Sequence, residues 1–551
     1  MTFLSNPVRR RAAGAAGAAL ASVLILTACG PSGGGNAQGG GDATGKPSNA
    51  EVAMLNVGQG GSVRNLDQAA SYDTNNYPIV NLLIEGLMTY TPTGQLVPKL
   101  AKSVDHPNDL TYVYTLRDGL KFWNGDPVTA EDAAFSLERN LDPDVASVLG
   151  GYYSNVKDVV ASGPNKVTMT LKTVDPFSQY IPAFSGGVVE KKFVEAAGKD
   201  FGTSKGLTMG TGPYKVVSYS PAGGVELKRN EDYWGDKPTV AAIKFTQIED
   251  PEALRLAMQS GEIDVATTPQ TETFNLWDKM DGVNMIYTDA FYLQYLSLET
   301  NADPWDDVHV RRAIAYASNP KGLLNPLFSG HADLSKSPIL ESAWANLPKQ
   351  KSEIEGTYKD LTTYQFDMHK AAEELAKSDH PDGFEVTVPY PAQPTYLGRT
   401  LENLKQNLAK IHVTLDLKEI PGQKWGDDIW ANPQGIGMQI EQFGLDYPDP
   451  GNFPAVALGK ANNHPESLGT AKFSTPELEK LLEQQRSTTD PAERAKALTG
   501  IVKIVADEVP VVPLYHTYDA LALSDKFVYD GEFSHWTFVY GDWATHIKAA
   551  K

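Results

Sequence analysis

Two hydrophobic periods alternate along the chain, one of two residues and one of three to four. The run 111–116 (TYVYTL) is β-branched and aromatic, and it predicts a strand. The run 165–171 (NKVTMTL) predicts another, with Gly163-Pro164 as the turn before it. Residues 215–219 and 225–228 predict a hairpin across the turn SPAGG. Elsewhere the helical period takes over. Thr129 caps a helix that runs to Arg139, with Glu131 and Asp132 in a first turn where the helix dipole favours negative charge. Asp250-Pro251 opens a helix that ends at Ser260-Gly261, with Pro at the first turn and Gly just past the end. Amphipathic helices are predicted over 308–318, 366–377 and 397–410, the last feeding a strand over 413–418. Late helices over 476–486 and 492–507 precede a strand over 511–515. Strand and helix signals mixed in this way predict an α/β fold. No short-period repeat is present.

The first fifty residues follow neither period. Arg9, Arg10 and Arg11 form a positive start, and residues 12–28 carry no charge. Thr27 and Ala28 close the apolar run with small side chains. This is the layout of a secretory signal peptide over 1–28. The run is short for a membrane span and is followed by Gly and Ser rather than a basic stop. The stretch Leu26-Thr27-Ala28-Cys29 resembles a bacterial lipobox, so Cys29 is expected to carry acyl chains and to hold the protein at a membrane surface. Residues 29–50 are Gly-rich and polar, the composition of a flexible tether. Gly40 to Lys46 imitates the start of a phosphate-binding loop. Pro47 stands where the magnesium-binding hydroxyl belongs and no strand precedes it, so the match is discarded.

Cys29 is the only cysteine among 551 residues, which excludes an internal disulfide and any Cys-based zinc or redox motif. The length predicts more than one domain. The formal net charge of −20 argues against nucleic acid, which needs a basic footprint, and against peripheral binding to anionic lipid. No nucleophile elbow, HExxH helix or EF-hand loop occurs, and no two of the ten histidines are spaced i, i+4. An enzyme has no positive support, and no metal or cofactor is expected.

Seven segments then match one family in order. They are residues 110–139 (LTYVYTLRDGLKFWNGDPVTAEDAAFSLER), 210–216 (GTGPYKV), 230–238 (NEDYWGDKP), 258–265 (MQSGEIDV), 308–320 (VHVRRAIAYASNP), 446–453 (DYPDPGNF) and 509–516 (VPVVPLYH). The chain resembles the family 5 extracellular solute-binding proteins, the peptide-binding lipoproteins of ABC importers. The resemblance implies a two-lobed α/β clamshell with an extra subdomain on its first lobe. Lobe one would comprise 51–90, 206–295 and 510–551, the extra subdomain 91–205, and lobe two 296–509. Hinge strands would run near 292–299 and 509–515.

The resemblance also implies site residues. Asp446 stands where the family places an aspartate facing the ligand's α-amine. Phe443 matches a site-wall aromatic and Trp425 a pocket tryptophan of oligopeptide binders. Tyr292 and Tyr295 lie by one hinge strand and Tyr515 by the other. Thr74, Asn75 and Asn76 fall in a first-lobe loop that would pair with the peptide main chain. Motif residues such as Gly119, Phe122, Trp123 and Gly125 read as scaffold. In one place the sequence departs from the pattern. Dipeptide binders carry an arginine before a proline to hold the ligand carboxylate, whereas here Gln393 precedes Pro394 and Arg399 is the nearest arginine. The expectation is therefore a monomeric, lipid-anchored binder of short peptides, longer than dipeptides, that serves ABC permease subunits. Alternatives are an oligosaccharide or other solute, a peptide sensor, or a secreted hydrolase.

Overall fold

A computed structural model describes residues 45–71, 75–267, 269–347, 351–425, 436–464 and 467–551. The expected leader, Cys29, the first part of the tether and Thr74 lie outside the described residues.

The main sheet is mixed and has nine strands among the described residues. In order across it run Met438–Gly444, Val283–Leu298, Val511–Ser524, Val265–Thr267, Leu55–Gln59, Ala242–Gln247, Gly224–Arg229 and Tyr214–Ser220, with Ala332–Leu334 added beside Val511–Ser524. Leu55–Gln59 pairs in parallel with both of its neighbours, and the remaining pairs are antiparallel. Val265–Thr267 is buried at every residue, as a strand covered on both faces requires. The expected hairpin appears as Tyr214–Ser220 paired with Gly224–Arg229.

A second sheet is antiparallel and four-stranded, in the order Ala101–Asn108, Thr111–Leu116, Lys166–Leu171, Val156–Gly163. Lys166–Leu171 buries alternate residues, one face turned inward. The helix Ala130–Glu138 packs on this sheet. Thr129 caps it through a capping box, its hydroxyl accepting from the Asp132 amide at 3.1 Å while Asp132 accepts from the Thr129 amide at 3.0 Å. A third unit is the parallel pair Glu385–Pro391 and Thr414–Ile420, joined by the helix Thr395–Leu408. The helix Pro251–Ser260 ends as expected, with Gly261 at φ 75° in the left-handed region.

Among the described residues two large apolar cores form, beside two smaller clusters. Leu293, Tyr295, Phe443 and Val511 belong to one, and Leu296, Leu298, Met438, Ile440, Val512 and Tyr515 to the other. Three adjacent strands of the main sheet thus supply both cores. The two strands expected at a hinge are hydrogen-bonded to each other, Tyr292 opposite Thr517 and Ser297 opposite Val511. Their register shifts between Asp289 and Tyr292 and again between Gln294 and Tyr295. At the first shift Phe291 takes φ 55°, and its amide donates to the Asp289 carboxylate at 2.8 Å. Among the described residues no helix is long and apolar enough to cross a membrane.

Candidate functional site

The strand Met438–Gly444 delivers the chain into the site. Gly444 closes it because a side chain there would meet the Tyr292 ring, which lies over the strand end with atoms 3.0–3.3 Å from an added Cβ. The loop that follows is fixed by its own residues. Tyr447 stacks on Tyr180 with ring centres 4.9 Å apart and planes 8° from parallel, between Phe177 and Phe184. Asp449 is fully buried and accepts two hydrogen bonds from Arg494, at 2.8 and 2.6 Å, and a third from the Tyr180 hydroxyl at 3.0 Å. Asn346 donates to the Pro448 carbonyl at 3.1 Å. With Tyr447, Pro448 and Asp449 held, Asp446 is directed into a cavity.

That cavity measures about 560 Å³. Tyr77, Tyr152, Tyr292, Phe443 and Tyr540 wall it, Asp446 lies in its lining, and His464, His535 and Gln442 add further polar groups. No lysine or arginine lines it among the described residues. Tyr152 donates its hydroxyl to Asp446. Burial, then the Asp446 charge and this hydrogen bond, push the Tyr152 phenol far up, so it stays a donor. Burial likewise raises the Tyr292 phenol, with Asp519 and Asp446 adding to the effect. His535 is buried and its Nδ1 lies 2.7 Å from the Asp519 carboxylate. The Gln442 amide donates to the Tyr396 hydroxyl at 2.6 Å. The arrangement offers a carboxylate within aromatic walls, with hydrogen-bonding groups around it. It suits a cationic or amine-bearing solute with apolar parts. Among the described residues no His, Cys, Asp and Glu side chains gather to hold a metal ion.

The family model for bacterial extracellular solute-binding proteins, family 5 Middle, matches residues 95–465. The chain belongs to family 5 of the bacterial extracellular solute-binding proteins. This makes it a binding protein and not an enzyme. It is 26% identical to the oligopeptide-binding protein OppA of Bacillus subtilis (strain 168) over 524 residues, covering 90% of this chain and 92% of OppA. The ABC transporter substrate binding protein CtaP from Listeria monocytogenes superposes with a TM-score of 0.78 at 24% identity, covering 91% of this chain and 100% of CtaP. The oligopeptide-binding protein AppA from Bacillus subtilis, solved with a nonapeptide, gives a TM-score of 0.71 at 18% identity, covering 92% of this chain and 100% of AppA. The fold is thus that of periplasmic solute-binding proteins.

In this family 5 protein Asp446, Phe443 and Tyr292 come together in one cavity. The other expected residues among those described lie elsewhere. Tyr515 is fully buried, donating to or accepting from Thr400 at 2.7 Å and packed on Phe328. It stands opposite Gln294, on the same face of the sheet as Tyr292 and Gln442, but there the helix Thr395–Leu408 and Phe328 cover it, and it does not line the cavity. Trp425 ends the short helix Gly422–Trp425 and does not line the cavity. Asn75 lines a separate cavity of about 210 Å³ beside Glu249, Gln270 and Trp277. Asn76 is fully buried at the start of the helix Tyr77–Val80, its carbonyl accepting from Ile79 and Val80. Tyr295 is buried and donates to Glu441 at 2.7 Å. Arg399 lines a different groove, with Tyr390 and Glu402.

Tyr77, Tyr152, His535 and Tyr540 escaped the sequence reading. They come from three distant segments, and no local spacing links them. Only the aromatic run 535–540 (HWTFVY) behind Ser534, which forms a capping box with Thr537, carries a signal that points to an ordered aromatic cluster.

Proposed function

We propose that this protein captures short peptides, longer than dipeptides, and delivers them to the permease of an ABC importer from the outer face of the cell membrane. The observation that carries the reading is the Asp446 carboxylate in a cavity walled by Tyr77, Tyr152, Tyr292 and Tyr540. A half-buried carboxylate prefers a ligand that brings a positive charge, because an uncharged group would leave it poorly compensated once water is excluded. The α-amine of a peptide supplies that charge. Tyrosine walls add apolar contact and hydroxyls, which hold a peptide backbone without dictating its side chains. The absence of lysine and arginine from the described lining favours ligands whose carboxylate lies away from this wall. The names of OppA and AppA, both oligopeptide-binding, support the same class.

The reading extends to organisation. Lobe one comprises 51–90, 206–295 and 510–551, with 91–205 as its extra subdomain, and lobe two is 296–509. The paired strands Val283–Leu298 and Val511–Ser524, which serve both cores, act as the hinge. Closure is driven by the ligand's higher affinity for the closed form. Cys29 anchors the monomer through its acyl chains, and the stretch behind it lets the body dock on the permease.

The test is calorimetric titration of a mixture of tri- to pentapeptides into the wild type and Asp446→Ala. The expected outcome is binding to the wild type and a loss of about a hundredfold in affinity for the variant, the scale of one desolvated charge pair. Unchanged binding in Asp446→Ala would remove the amine anchor.

A further inference from the structure

The cavity at Asp446 continues past that residue. A second cavity of about 820 Å³ opens beyond the same carboxylate, and Tyr152, Asp446 and Val456 line both. Phe177, Ile181 and Phe184 give it an apolar wall, while Asp175, Glu483 and Arg486 bring charge. Asp175 is fixed in place, its carboxylate accepting from the Phe177 amide at 3.1 Å and the Ser178 hydroxyl at 2.7 Å. Glu483 and Arg486 sit on the helix Pro476–Ser487, both exposed, and neither enters an ion pair among the described residues. With Asp446, three carboxylates and one guanidinium line the chamber.

On the reading that Asp446 holds a peptide's α-amine, we propose that this second chamber receives the side chain of the ligand's first residue and selects a basic one, lysine or arginine. The α-amine and the first side chain leave the same carbon. An amine anchored on the wall shared by the two cavities therefore puts that side chain at the entrance to the second, while the peptide chain continues through the first. Lysine and arginine suit the chamber because their stems are aliphatic and their heads are charged. The stem lies along Ile181, Phe184 and Phe177, and the head reaches the end where Asp175 and Glu483 stand. The selection belongs to the carboxylates, since Arg494 already occupies a face of Phe177 with its guanidinium 5.2 Å from the ring centre. Arg486 opposes the preference and limits its size.

The test uses three peptides identical after the first residue, which is lysine, alanine or glutamate, titrated into the full-length protein. Lysine-first is expected to bind about fivefold more tightly than glutamate-first, with alanine between, the size that partly exposed charges support. Glu483→Lys should erase or invert that order, and Arg486→Ser should widen it. Both positions are exposed on a helix surface and lie outside the first cavity, so matching unfolding temperatures show that the fold is kept. Equal affinities for the three peptides, or tighter glutamate-first binding, overturn the chamber assignment while leaving peptide capture standing. Failure of the wild type to bind any of the three overturns the amine anchor and the chamber together.

Discussion

Asp449 gives both carboxylate oxygens to Arg494 where neither side chain meets solvent, their exposures being 0% and 2%. Three residues earlier, Asp446 faces the cavity. The first aspartate holds the loop and the second uses the position so fixed. Removing one partner from a fully buried pair strands the other charge, a loss of about 3–5 kcal/mol. Arg494→Met should therefore lower stability by that amount in urea unfolding, and Asp449→Leu added to it should restore part of the loss; a single variant as stable as the wild type would contradict the buried pair. In the sequence both aspartates stand in one motif, and the resemblance singled out Asp446. The part played by Asp449 was not legible, because its partner lies 45 residues away on the late helix. Tyr515 is the opposite case. It lies on the same face of the sheet as Tyr292 and Gln442, but Thr400 and Phe328, from distant segments, cover it there, and no local pattern announces that packing.

The strands Val283–Leu298 and Met438–Gly444 show how a cross-strand pair can be both polar and buried. Tyr295 stands opposite Glu441 and donates to it at 2.7 Å. Burial pushes the Glu441 carboxyl above its ordinary 4.5, against the lowering effect of hydrogen bonds from Thr470 and Tyr295. A carboxyl raised in the folded state contributes stability that is complete below its unfolded value and is lost as pH rises through its folded value. Glu441→Gln lacks this titration. Its unfolding free energy should therefore gain on the wild type as pH rises above the ordinary carboxyl value of 4.5. A difference between the two proteins that stays flat with pH, or runs the other way, would contradict the shift. The same strand explains a miss in the sequence reading. MQIEQFG carries Gln439, Glu441 and Gln442, so its apolar alternation is masked although Gln439 is buried. Glu385–Pro391 was hidden by its prolines and Ala101–Asn108 by its charges. Elements with end signals were legible instead. Thr129 and Gly261 marked their helices because capping is local chemistry.

At the scale of the molecule, three neighbouring strands feed two cores, and the candidate cavity opens where Met438–Gly444 ends beside Tyr292. Sequence motifs spread from 110 to 516 reached this architecture because each marks a turn, cap or strand that the fold needs. The cavity was only half legible. Asp446 lies in such a segment, Phe443 beside it and Tyr292 on an expected hinge strand, whereas Tyr77, Tyr152 and Tyr540 meet them only after the chain has folded. On the function proposed above, this cavity holds peptides by their free amines. The most direct test is to incubate the full-length protein with a defined library of tri- to pentapeptides, half of them N-acetylated, and to identify what is retained by mass spectrometry. Free-amine peptides should be recovered intact and their acetylated twins depleted. Equal retention of the acetylated peptides, or no retention of any peptide, would contradict it.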